Sequence, residues 1–372
     1  MNGLDRAALT EPSLVQKVPQ RFAVTAQIAR GDALLKGGRY REAAAAARLA
    51  VRRAPVEPES TALLGGALLG LNDAEGAQRA FLVAGRLGWR TPLTQYYWMR
   101  EALAVDDYRV ASLRADAMLR QNPTLLEQPA LLAPLESTEM GRTALAERML
   151  GNPGWISHYA QGIYGLSVPD VATRAMVLNI LAAKGGTLGC PVVGSMVTSL
   201  VAAESISLAR QLWEAHCPAR RPLPATGLLS DTGFSGLQVH RTDSPFDWSV
   251  VGDSDVSLSV DELPRGQDRR LLLASSAAFP RKVLTQLVPL AAGAFRLSWR
   301  ANDAGGSAST RILAMIACGS KGQWIEGQSD GNGGFLVDFD AEAACPARWV
   351  SFAIKPGSAS VYLSEVRLLP RH

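Results

Sequence analysis

Three stretches of this chain repeat one helix-turn-helix pattern at a period of about 34 residues, and a sequence that recurs at that interval stacks rather than wrapping around one centre. Gly31, Tyr40, Ala43, Ala50 and Pro55 are matched by Gly65, Ala77, Phe81 and Ala84, then by Tyr108, Ala111 and Pro123. Small residues at these positions let paired helices approach closely. Stacked pairs present a groove, so the pattern points to binding rather than chemistry.

The first unit has Gly37 and Gly38 between its helices and ends at Pro55. The second turns at Asn72-Asp73 and departs from the pattern at its end, where Trp89 stands for the stopping proline and Pro92 follows late. The third carries Met99 where a small residue is expected. The three units resemble tetratricopeptide repeats. That resemblance implies a concave groove for a protein partner. Trp98 is expected to face the core, while Tyr96 lines the groove with Arg100 and Leu103. Tyr96 and Arg100 lie one turn apart and either contact a peptide or glycan edge or form a solvated pair.

The 372 residues are long enough for roughly two domains. A net charge of +4 without blocks of like charge excludes a phosphate-tracking nucleic-acid binder. Beyond Pro123 helical spacing continues out of phase, over 125–132, 138–150, 169–184 and 195–215. Proline then gathers in Cys217-Pro218-Ala219-Arg220-Arg221-Pro222-Leu223-Pro224, which reads as a stiff linker. From Thr226 onward the apolar period becomes two. Runs such as Val256–Val260, Phe295–Trp299, Phe335–Phe339 and Trp349–Ile354 predict eight or more short antiparallel strands. The fold expected is α then β: a tail over 1–19, a helical solenoid over 20–216, the linker over 217–224, and a jelly-roll β-sandwich over 225–372.

Asp231-Thr232-Gly233-Phe234-Ser235, Pro245-Phe246-Asp247-Trp248, Gly293 to Ser298 and Val361 to Val366 follow one another in an order similar to jelly-roll, galactose-binding-like carbohydrate-binding modules. The whole chain looks like bacterial proteins that join a tetratricopeptide solenoid to such a module, some of which accompany exopolysaccharide export. The resemblance implies a possible polysaccharide ligand. In such modules a structural calcium needs several carboxylate oxygens, but Ser235 and Ser364 replace two acids and leave Glu365, so no metal is assigned. Cys318 and Cys345 match positions where these modules often carry cysteine. A bridge between them would close about 27 residues and stabilise by about 3 kcal/mol in the chain-entropy model.

Sugar binding uses exposed ring faces that pack against the C–H face of a pyranose. Trp324, behind a glycine-rich turn, is the leading platform, with Trp248 and Tyr362 as further candidates; the alternative for Trp324 is packing over one end of the sandwich. Trp299 and Trp349 sit in alternating strands and are assigned to the core.

Enzyme signatures are weak. The four histidines lie at no ligand spacing, and no nucleophile elbow or phosphate loop appears. Asp253 with Asp255 and Asp338 with Asp340 are strand-end pairs that would serve a glycoside-acting enzyme, or simply face water. No cofactor is expected. Residues 1–23 carry charges without an apolar core, and no run of about 18 apolar residues follows, so the chain as written reads as cytoplasmic without a membrane span. A bridged cysteine pair, or an anchor upstream of Met1, would place it in the periplasm or cell envelope instead. The sequence thus predicts a non-enzymatic protein that binds a protein partner and possibly a glycan. The alternatives are a purely protein-protein scaffold and a glycosidase.

Overall fold

A computed structural model of the chain describes residues 11–14, 23–218, 227–237, 244–262, 269–319 and 322–371, with Asp5, Ala7, Lys17, Val18 and Val239. Most of the N-terminal tail, and the linker from Ala219, lie outside them. Two compact units divide the chain, Met1–His158 and Tyr159–His372.

The first unit opens with three helical hairpins: α1 (Val24–Lys36) with α2 (Tyr40–Arg53), α3 (Pro58–Gly70) with α4 (Ala74–Leu87), and α5 (Pro92–Ala104) with α6 (Tyr108–Gln121). Each helix starts 34 residues after its counterpart in the hairpin before. The turns keep the same phase. Gly38, Asn72 and Asp106 adopt left-handed backbone at φ of 70°, 60° and 56°, a conformation open to glycine and tolerated by Asn and Asp. Asp73 and Asp107 then cap α4 and α6, accepting the N–H of Gly76 and Val110 at 2.9 and 3.0 Å, worth about 1 kcal/mol each. Pro92, which the sequence reads as a late stop, is instead a start: like Pro58 it sits in the first helical turn, where its missing N–H leaves no bond unmade.

Packing explains why the third hairpin tolerates Met99. Gly65 faces Phe81, whose ring would lie 2.8 Å from an added Cβ. At the corresponding positions the third hairpin has Met99 and Ala115, both fully buried. Bulk has moved from the second helix to the first, which conserves the summed volume. The first helices neighbour one another, α1 against α3 and α3 against α5. An added Cβ on Gly66 would reach Leu35 and Leu93 at 3.1 and 2.9 Å, so three hairpins meet there. Trp89 is covered on one face by the Arg114 guanidinium, 3.6 Å from the ring centre.

After α6 the prolines interrupt the expected helix over 125–132, leaving 3-10 turns at Pro123–Glu127 and Pro129–Leu131. Short helices follow: α7 (Ala133–Glu136), α8 (Glu139–Met149) and α9 (Ile156–Gln161), the last unanticipated. The second unit contains α10 (Val168–Ala183), α11 (Cys190–Ala202) and α12 (Ile206–His216). The predicted single run 195–215 is thus two helices, parted at Glu204 with φ 59°.

Eleven strands are described: β1 (Ser249–Val250), β2 (Val256–Glu262), β3 (Arg269–Ser275), β4 (Arg281–Pro289), β5 (Gly293–Asp303), β6 (Ile312–Ala317), β7 (Ile325–Glu326), β8 (Gln328–Ser329), β9 (Gly334–Ala341), β10 (Ala347–Ile354) and β11 (Gly357–Pro370). They form a five-stranded sheet, β1-β4-β10-β6-β7, and a six-stranded sheet, β2-β3-β11-β5-β9-β8. The described strands pair antiparallel throughout, and inward residues of both sheets share one core, where Phe352 of β10 meets Trp299 of β5 at 5.5 Å between ring centres. The chain is therefore α then β, ending in an antiparallel sandwich.

The two sheets differ on their outward sides. In the six-stranded sheet Arg296, Ser298, Arg300 and Asn302 of β5 alternate with core residues and face outward, partly or fully open to solvent. In the five-stranded sheet the outward residues Leu287, Leu313, Met315, Ser351 and Ala353 are buried as well. At one side of the sandwich β7, Gly327 and β8 carry the chain from the edge of one sheet to the edge of the other. Only glycine fits at that crossing, since a Cβ on Gly327 would come 2.5 Å from the Trp299 ring.

Candidate functional site

The sandwich tryptophans separate into two pairs. Trp299 is in the core, as its strand alternation requires. Trp248 is there too, 3% exposed and wedged between Phe234 and Phe352 at 5.9 and 6.0 Å. Its candidacy as a sugar platform is therefore corrected: the Pro245-Phe246-Asp247 turn directs the indole inward, and neither ring face is open. Trp324 and Trp349 are only partly buried. For Trp349 this corrects the core assignment.

Register brings these two together. β6 pairs with β7 through Leu313↔Glu326 and Ala314↔Ile325. One residue further, the ladder sets Trp324 beside Met315. Gly322 lies over the same strand, where a Cβ would come within 2.9 Å of Ala317 and 3.0 Å of Met315. Across β6, β10 pairs Trp349 with Ala317 and Ser351 with Met315. Side chains alternate along a strand, so Trp349, Ala317, Met315 and Trp324 share the outward face. The two tryptophans stand two strands apart, roughly 10 Å at the usual interstrand spacing, with Gly322 lying over the buried Ala317 and Met315 between them. Gln323, Ile325, Glu326 and Gln328 nearby are exposed, and Lys355 pairs with Glu326. Flat ring faces beside amide donors and acceptors suit a saccharide.

Cys318 and Cys345 form a disulfide with Cα atoms 5.8 Å apart. Cys318 follows Ala317, and Cys345 lies in the turn that leads into β10, so the bridge sits just past the rung Trp349↔Ala317. Arg348 Nη1 donates to Cys318 Sγ at 3.4 Å.

Tyr362 lies on the outward side of the six-stranded sheet, paired with Leu272 and Asn302. The Arg270 guanidinium covers its ring at 3.6 Å from the centre. A sugar stacking there would first have to displace the arginine. In the helical unit Tyr96 is 39% exposed, Arg100 is exposed and Leu103 half-buried. The inward ring of that cluster is Tyr97, stacked on Phe81 at 4.1 Å. Trp98 faces the same core as expected, half-buried against the Phe81–Tyr97 cluster, with its Nε1 donating to the Phe81 carbonyl at 3.4 Å.

Three of the four strand-end carboxylates, Asp253, Asp255 and Asp338, are engaged by arginines. Hydrogen bonds from Arg296, and next from Arg371, hold Asp338 well below the usual carboxylate range. Asp253 and Asp255 both face Arg281, at 3.4 and 3.3 Å. Asp231 spends its oxygens on the turn it starts, accepting from the N–H and hydroxyl of Ser235 and the N–H of Gly236. Glu365, at a bulge of β11 with φ 50°, lies 3.8 Å from Arg300. Among the described residues no group of three or more His, Cys, Asp or Glu side chains is placed to hold a metal.

No family signature matches the chain, and comparison with curated proteins finds no match. Among solved structures it is similar to the carbohydrate-binding module TmCBM61 in complex with β-1,4-galactotriose, at 13% identity over 39% of this chain and 99% of that one, TM-score 0.28. It is also similar to a putative sugar binding protein from Bacteroides thetaiotaomicron, at 12% identity over 39% and 100%, TM-score 0.29. The tailspike protein 4 of bacteriophage CBA120 matches at 13% identity, covering 43% of this chain and 23% of the tailspike, TM-score 0.30. The sandwich is defined by its own strand order and shared core.

Proposed function

We propose that this chain is a non-catalytic glycan-binding protein. Its sandwich holds a saccharide against Trp324 and Trp349, and its helical hairpins, read as tetratricopeptide-like, hold a protein partner along the side that bears Tyr96, Arg100 and Leu103. Such a protein brings a polymer and a protein together, as polysaccharide assembly or export requires. The observation that carries the reading is the pair of partly exposed tryptophans, Trp324 and Trp349, on one sheet face. Against a glycosidase stands the pairing of Asp253 and Asp255 with Arg281 and of Asp338 with Arg296; the Asp338 carboxyl, held deprotonated by its guanidinium partners, is a poor proton donor. The disulfide supports an oxidising compartment, since such bonds persist there.

Affinity electrophoresis of the full chain against neutral and acidic polysaccharides tests this. Retardation by at least one polymer is expected, and Trp324→Ala should weaken it by about 1–3 kcal/mol, as truncating an anchoring ring does. If no polymer retards the wild-type chain, the sandwich serves only as scaffold.

A further inference from the structure

We propose that the Cys318–Cys345 disulfide is the positioning device of the two-indole surface, an inference that rests on the glycan-binding reading above. The bridge joins two segments that each carry one of the rings. Trp324 lies on the segment that leaves β6 at Cys318 and re-enters the sheet at β7. That segment contains Gly319 and Gly322, which raise the entropy cost of ordering it, and its far end is held by the two residue pairs of β7 and the Glu326–Lys355 ion pair. Trp349 lies two residues into β10, behind the turn that holds Cys345.

That turn is the fixed partner. Cys345 N–H donates to Glu342 at 3.1 Å, and the Pro346 carbonyl accepts from Leu290 at 3.0 Å. Cys345 is buried. The disulfide therefore ties a glycine-rich segment to an anchored turn, next to the last rung between β6 and β10. β4 holds Trp349 from the other side through Trp349↔Leu287, so the bridge acts most on the end of β6 at Ala317, beside Trp349, and on the Gly322–Trp324 stretch packed there. The core rings Trp248 and Trp299 are packed independently of it, among Phe234, Phe335 and Phe352.

Cys318 is exposed, so a small dithiol can reach it. One reagent thiolate attacks Cys318 Sγ, forming a mixed disulfide, and Cys345 leaves as a thiolate that takes a proton. The second reagent thiol then displaces Cys318, closing the oxidised reagent as a ring. Two protons and two electrons pass to the protein. Cleavage releases the platform and leaves the sandwich folded.

The test uses the full chain, oxidised and after dithiothreitol, with the indole N–H resonances assigned by single Trp→Phe variants. Reduction should shift and broaden the signals of Trp324 and Trp349 and leave those of Trp248 and Trp299 in place. Affinity for whichever of galactan, alginate or xanthan retards the oxidised chain should fall roughly five- to tenfold, the cost of re-ordering freed contact side chains. The double variant Cys318→Ser/Cys345→Ser should behave as the reduced chain and ignore the reductant. Unmoved Trp324 and Trp349 signals overturn the proposal. Equal movement of all four signals also overturns it, because the bridge would then be a staple of the whole sandwich. If the oxidised chain binds none of the three polymers, the glycan reading fails, and the indole signals still decide the clamp.

Discussion

The helical hairpins and the sandwich bury their apolar surface by opposite means. In the hairpins the contacts are short in sequence, and the buried residues are mostly alanine and glycine, gathered in small clusters such as Leu34, Ala43, Ala44 and Ala67. In the sandwich one cluster runs from Leu229 to Leu368 and is built on large side chains, Trp248, Trp299, Phe335 and Phe352 among them. A repeat adds stability unit by unit, whereas a sandwich core is gained or lost whole. The candidate surfaces follow the same division: Tyr96 and Arg100 are placed by the local period of one helix, Trp324 and Trp349 by register across three strands.

The strongest way to break this comparison is Phe352→Ala. It should cost about 3–5 kcal/mol and accelerate hydrogen exchange in both sheets together, with the hairpins untouched. Protection lost only near β10 would show that the sandwich is not one cooperative block. Gly65→Ala should cost less, about 1–3 kcal/mol, because the new methyl meets the Phe81 ring. Its effect should stay within α3, α4 and α5; exchange loss that spread to α1 and α6 equally would contradict unit-by-unit stability.

A smaller, pH-dependent effect sharpens the picture at the end of the helical series. His216 is buried, its Nδ1 accepting the Leu188 N–H at 3.2 Å and its Nε2–H donating to the Leu178 carbonyl at 3.0 Å. Burial lowers its affinity for a second proton, outweighing the Leu178 hydrogen bond that works the other way. The unfolded chain then binds that proton more readily than the folded one, so stability is complete above about pH 6.5, the unfolded value, and declines as pH falls toward the lowered folded one. Urea midpoints at pH 7.5 and 5.5 should show this decline, and His216→Gln should flatten it. Smallest for stability is Trp324→Ala, expected within about 0.5 kcal/mol of wild type as a partly open loop residue. A large drop in its melting temperature would make Trp324 a packing residue.

The repeat was legible because helix period, turn residue and capping aspartate all recur at one interval, so Gly38, Asn72 and Asp106 reinforce one another. The strands were legible from alternation: Phe295, Leu297 and Trp299 point inward as the pattern requires. The site was legible only in fragments. Trp324 stood out behind its glycines, but Trp349 looked like any strand residue, because alternation says that it faces one side of a sheet and not whether that side is covered. Trp248 erred the other way: a loop aromatic reads as exposed unless the turn that folds it inward is known. What joins Trp324 to Trp349 is the pairing of β6 with both β7 and β10, a long-range fact absent from any local window.

The strap of β7, Gly327 and β8 has a consequence for crowding. A sheet edge with free N–H and C=O groups is a template on which another chain can add a strand. Here two-residue strands occupy one edge of each sheet, and the chain passes between them too tightly to be prised open without disturbing Trp299. On the proposed reading, copies gathered along one polymer would reach high local concentration, the condition under which edges join, and the strap leaves the β1 and β2 edges as the places where that contact would have to be made.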